Sequence, residues 1–184
     1  GISMLITKIT QKLEKKAQAN CQIYDLISRY YKPLIKKEIR LANIKKDDKI
    51  MCIGGGNCPM SAILLQKYTG AEVTILDCNK QCCICAETLI EQKNLENLRV
   101  LCCNGCDAPC EKFDIIHLAM QISPLESTLK NLMARSNSGT KFLVRIPKKS
   151  LSNLYSPFRQ KLKAVQHVKH HLLTNLGHTL LFEK

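Results

Sequence analysis

From Lys49 onward, short apolar runs alternate with amphipathic stretches, a rhythm that few architectures accept. The runs are KIMCIGGG, AEVTILD, LRVLCCNG, FDIIHLAM and TKFLVRI; stretches of helical spacing begin near Met60 and pass through Ile90 and Leu132. A strand open to water on one face alternates apolar with polar residues, whereas continuous apolar runs belong to strands covered on both faces. The series therefore predicts βαβ units in a parallel sheet between helices. The end of the chain departs from this. VQHVKHHLL and HTLLFEK flank Thr174-Asn175-Leu176-Gly177, a turn-forming tetrad that predicts an antiparallel hairpin at the sheet edge.

Ahead of the sheet, residues 4–46 carry apolar side chains at helical spacing: Leu5, Ile9 and Leu13, then Ile23, Leu26 and Ile27, then Leu34, Ile35 and Leu41. Two or three short helices are expected, with Pro33 in the first turn of one, where its missing N–H has no partner to lose. At 184 residues and 45% hydrophobic content, one core and one sheet domain over residues 47–184 fit the chain. No apolar stretch approaches the roughly 20 residues that span a bilayer, and the lysine-dotted N-terminus lacks a signal-peptide block, so no membrane partner and a cytoplasmic location are expected.

Gly54, Gly55 and Gly56 stand between the first strand and a helix, where a ligand can approach the backbone and meet free N–H groups. Asp77 ends the second strand, where a carboxylate accepts hydrogen bonds from both hydroxyls of a ribose. Strand, glycine turn, helix, strand and terminal Asp in that order point to a nucleoside. A dinucleotide fingerprint would place a third glycine where Pro59 stands, which disfavours NAD.

With these features, residues 49–184 resemble the class I S-adenosylmethionine-dependent methyltransferases, which implies a Rossmann-like α/β fold with S-adenosylmethionine as cofactor. Cys52 stands where many of them carry an acidic residue, and Cys58 replaces the last glycine of the loop. The segment IGGGNCPMSAILLQKYTGAEV is similar to the nicotianamine synthase branch, as are Tyr31, Leu34 and Glu38 before the first strand and the segment Arg145 to Pro157. Gly105-Cys106-Asp107-Ala108 resembles the Gly-Asp-Ala segment with which methyltransferases bind adenine, with Cys106 inserted. The resemblance assigns Gly54, Gly55, Gly56, Asn57, Asp77, Cys78, Asp107 and Ala119 to the cofactor. It implies transfer of a methyl or an aminocarboxypropyl group to a small molecule.

Either transfer is an in-line displacement beside a sulfonium, which needs positioning and a neutral nucleophile more than acid chemistry. Tyr31 is the candidate to orient the cofactor's tail or an incoming amine, and Glu38 to hold a cationic nucleophile or take its proton. The plain alternatives are a packed aromatic and a solvated helix carboxylate. His117 and Gln121 end the fourth strand, where α/β sheets bind ligands.

Two features suit other classes. The net charge of +13, concentrated after Lys141 where Glu183 is the only acid, would attract nucleic acid. RNA methylation nevertheless calls for exposed aromatics, and aromatic content is 5% with no Trp. Eleven cysteines are expected as reduced thiols. Cys78, Cys82 and Cys85, with Cys103, Cys106 and Cys110, have spacings that could bring thiolates from two strand ends onto zinc or an iron–sulfur cluster, as in a non-catalytic metal-binding or cofactor-sensing protein. Burial as small hydrophobes is the competing reading.

Overall fold

A computed structural model describes residues 21–56, 58–120, 122–147, 165–170 and 176–184. Helix α1 (Cys21–Ala42) leads into β1 (Lys49–Ile53), α2 (Met60–Thr69), β2 (Glu72–Asp77), α3 (Lys80–Gln92) and β3 (Leu98–Cys102). Then come β4 (Ile115–Leu118), α4 (Leu125–Arg135), β5 (Lys141–Pro147), β6 (Val165–Lys169) and β7 (Leu176–Glu183). Two 3₁₀ turns, Gly105–Asp107 and Cys110–Lys112, join β3 to β4.

The strands form one sheet in the order β3-β2-β1-β4-β5-β7-β6. Neighbours from β3 to β5 are parallel, while β7 runs antiparallel to both β5 and β6. The α/β class, the parallel sheet and the closing hairpin are thus as the apolar pattern predicts. The tetrad at its turn falls partly outside the described residues.

Period-two alternation divides the core into two layers. Ile50, Val73, Ile75, Ile115 and Leu143 face α1, α2 and α3, meeting Leu34, Ile35, Leu64, Leu65 and Leu89. Met51, Ile53, Ile116, Leu118, Phe142 and Val144 face the other way and pack on Leu129, Leu132 and Met133 of α4. Both faces of β1, β2, β4 and β5 are therefore dry, which is why these strands read as continuous apolar runs.

The N-terminal expectation needs correction. The described part is a single 22-residue helix, and Pro33 lies inside it rather than in a first turn. Pro33 cannot donate to the carbonyl four residues earlier. Ile27, Leu34, Ile35 and Ala42, all buried against the sheet, hold the helix through that lost bond.

Candidate functional site

The order of strands reverses between β1 and β4, and in open α/β sheets ligands bind beyond the strand ends at such a point. Gly54 lies there at φ +84°, donating its N–H to the Leu76 carbonyl at 3.0 Å. A Cβ on Gly54 would press 3.3 Å from Ile122 and 3.4 Å from Ala119, so both space and backbone demand glycine. Gly56, at φ +66°, donates to Asp77 Oδ2 at 3.3 Å, and a Cβ there would meet nothing within 4 Å. Its open side is a cradle beside the carboxylate.

Asp77 is half-buried, and its other oxygen accepts the Asn79 N–H at 2.9 Å. Asn79 in turn caps α3, accepting from Gln81 and Cys82. The carboxylate is thus aimed by a loop on one side and a helix cap on the other. Ala119, whose N–H reaches the Ile53 carbonyl at 3.1 Å, closes the β4 side. The structure brings together Gly54, Gly55, Gly56, Asp77 and Ala119, with exposed Cys78 following Asp77. Asp107 is exposed in the turn after β3, which Arg135 fixes by donating to the Gly105 and Ala108 carbonyls at 2.7 and 2.5 Å. Asn57 and Gln121 lie outside the described residues.

The second part of the site is a polar hub under α1. Glu38 is fully buried, and each carboxylate oxygen accepts two hydrogen bonds. Arg145 donates from Nη2 to Oε1 at 2.8 Å and from Nε to Oε2 at 3.1 Å. His117 Nε2 lies 3.1 Å from Oε1, and the Thr179 hydroxyl donates to Oε2 at 2.6 Å. Arg145 Nη1 donates onward to Ser61 in the first turn of α2 at 2.8 Å, and its guanidinium lies 5.8 Å from the centre of the Tyr31 ring. Since the Thr179 proton goes to Glu38, His170 Nε2 must carry the hydrogen that bridges 2.7 Å to Thr179 Oγ1. His170 Nδ1 is left buried without a partner among the described residues.

Burial alone would raise the Glu38 carboxyl, but Arg145 and His117 outweigh it and hold it well below the usual carboxylate range. His117 is pushed below its ordinary value by burial despite that carboxylate. Its bond to Glu38 is therefore one from a neutral imidazole. Burial lowers His170 to about 4 and, with Glu38 adding to it, lifts the Cys52 thiol to about 12.

Of the two residues expected to act on substrate, Tyr31 is half-buried over Arg145, and Glu38 is neither solvated nor open. A carboxylate accepting four bonds has its acceptor sites filled within the protein. Sequence reasoning missed Arg145, Thr179, His170 and Ser61. Arg145 had a signal: it interrupts the apolar run FLVRI, and a charge inside a covered strand needs a buried partner.

The alternative of thiolates converging on zinc or an iron–sulfur cluster finds no support among the described residues. Among the described residues no three Cys, His, Asp or Glu side chains are placed to hold a metal ion. Successive residues of α3 point in different directions, so Cys83 is buried while Cys82 and Cys85 are not, and Cys110 packs into the α4 layer. None of the described helices is long and apolar enough to cross a membrane.

No protein-family model and no curated protein matches the sequence. Solved structures do match. The nicotianamine synthase MtNAS in complex with MTA and tNA superposes with a TM-score of 0.79 at 18% identity, covering 100% of this chain and 74% of that one. A mutant of MtNAS in complex with S-adenosylmethionine gives 0.77 at 19% identity, over 99% of this chain and 76% of that one. An RNA methyltransferase from Salinibacter ruber, bound to S-adenosyl-L-homocysteine, gives 0.62 at 14% identity, over 83% and 90%. The chain has the fold of the class I S-adenosylmethionine-dependent methyltransferases. Within that class it is similar to MtNAS over its whole length.

Proposed function

We propose that this protein is an S-adenosylmethionine-dependent transferase that moves the aminocarboxypropyl group of the cofactor onto a small-molecule amine. The carrying observation is the convergence of the open Gly54–Gly56 turn with Asp77 at the switch point of the sheet. Asp77 retains acceptor capacity beyond the two N–H groups that aim it, as a ribose diol requires. Bound there, S-adenosylmethionine supplies a sulfonium whose neighbouring carbon accepts a neutral nucleophile.

The residues around it position rather than react. Arg145 uses three of its five N–H donors on Glu38 and Ser61, leaving two for a carboxylate such as that of an amino-acid tail. Tyr31 lies over the same guanidinium. Glu38 neutralises the buried cation and fixes its plane. The likeness to MtNAS, which extends through α1, supports aminocarboxypropyl over methyl transfer.

Incubation with S-adenosylmethionine and a pool of small amines, with mass spectrometry of the nucleoside released, tests this. Protein-dependent methylthioadenosine is expected. S-adenosylhomocysteine would instead mean methyl transfer, and neither product would overturn the transferase reading. Asp77→Ala should weaken S-adenosylmethionine binding by about tenfold or more, the order of a lost charge-assisted hydrogen bond.

A further inference from the structure

Apart from Cys78, the cysteines remain without a role in this chemistry, yet two of them are brought to the back of the cofactor carboxylate. In β3 the alternation places Leu98, Val100 and Cys102 on one face, and Leu98 and Val100 pack in the layer that includes Leu89 of α3. Cys102 therefore lies on the face that α3 covers, at the open end of the strand, and it is exposed. Its partner in register on β2 is Asp77. From the other side, Cys83 in the first turns of α3 is buried and donates its thiol to the Asp77 carbonyl at 3.4 Å. That carbonyl also accepts the Cys103 N–H at 3.1 Å, so the Cys83 sulfur sits where β3 ends. Cys83 and Cys102 thus share the end of β3, one bonded to the Asp77 carbonyl and the other in register with Asp77. The ten cysteines from Cys52 to Cys110 are free thiols.

We infer that Cys83 and Cys102 are an oxidant-responsive dithiol whose disulfide closes against Asp77 and weakens cofactor binding. The gating half rests on the cofactor reading above; the dithiol half does not. Hydrogen peroxide is the oxidant. Exposed Cys102 is attacked first: its sulfur displaces hydroxide from peroxide and becomes a sulfenic acid. The Cys83 sulfur then attacks that sulfur, the S–OH bond breaks, and hydroxide leaves as water with the Cys83 proton. Two thiols and one peroxide thus give one disulfide and two waters. Burial, with Cys102 and the Asp77 charge adding to it, raises the Cys83 thiol to about 12, which suits the order of events, with Cys83 resolving rather than initiating.

Drawing the sulfurs to the roughly 2.05 Å of a disulfide takes Cys83 away from the Asp77 carbonyl and pulls on the first turn of α3. The same short turn carries Asn79, whose N–H holds Asp77 Oδ1. A pull on the cap is a pull on the carboxylate.

The test treats the reduced full chain with hydrogen peroxide, blocks remaining thiols, and maps linkages by tryptic mass spectrometry. S-adenosylmethionine affinity is measured by calorimetry before oxidation, after it, and after dithiothreitol. Expected is a cross-link between peptides 81–93 and 100–112, located by fragmentation to Cys83 and Cys102, with affinity falling about tenfold and restored by the reductant. Cys102→Ser, a change at an exposed position, should abolish the cross-link and make affinity indifferent to peroxide. No cross-link, or one through other cysteines, overturns the dithiol. A Cys83–Cys102 bond with unchanged affinity overturns the gate. If the reduced protein does not bind S-adenosylmethionine, the proposed function falls and the gate with it, while the linkage map still decides the dithiol.

Discussion

Glu38 shows how far one residue's meaning depends on what faces it. It sits among lysines and an arginine in KKEIR, the composition of a solvated helix face, yet no part of it reaches water. Its partners lie 79, 107 and 141 residues away in sequence, a separation at which no local pattern carries information. Removing it strands the Arg145 cation in a dry interior. Glu38→Ala should therefore cost about 3–5 kcal/mol, the range for breaking a buried ion pair, read as a lower urea midpoint at neutral pH. A loss under about 1 kcal/mol would mean that water enters and the hub is not dry.

At the scale of elements, the strands and helices from β1 to β5 were legible because covered strands and amphipathic helices write different periods into the chain. The glycine turn and Asp77 were legible for a related reason: backbone geometry at a strand-to-helix turn restricts residue type, and Gly54 meets that restriction in both conformation and space. Helix α1 was not. Proline is an ordinary stop signal, and packing on the sheet overrules it here. Pro33 is exposed, so Pro33→Ala restores a donor without disturbing a contact in the core. A stabilisation of about 1 kcal/mol is expected, below the full proline penalty of about 3 because the native helix has already adapted. Thermal unfolding decides it, and a fall in Tm would show that the proline's φ restriction matters more than the lost bond.

For the whole molecule, the hub makes stability depend on pH. His170, lowered to about 4 by burial, and His117, lowered in the same direction, stay neutral in the folded chain where the unfolded chain's histidines, near 6.5, take up protons. The unfolded state then binds more protons, so stability falls as pH drops from about 6.5 toward 4. Glu38 adds a second loss: its depressed folded value contributes stability above the ordinary carboxylate range of about 4.3 that disappears as pH falls below it. Urea midpoints measured from pH 7.5 to 3.5 should decline through both windows, and His170→Asn should flatten the upper one. A level profile between pH 7 and 4.5 would contradict the burial of these imidazoles.

By itself, the sequence determined the sheet, its closing hairpin, and the glycine turn and carboxylate at the switch point. Those follow from hydrophobic period, turn chemistry and backbone restriction, all of which act between near neighbours. Tertiary structure alone decided that Glu38 is a saturated anchor for Arg145, that α1 continues through Pro33, and that the Cys83 thiol lies behind Asp77. Each of these depends on which distant side chain fills a residue's surroundings. Burial, charge and reactivity are properties of that filled space.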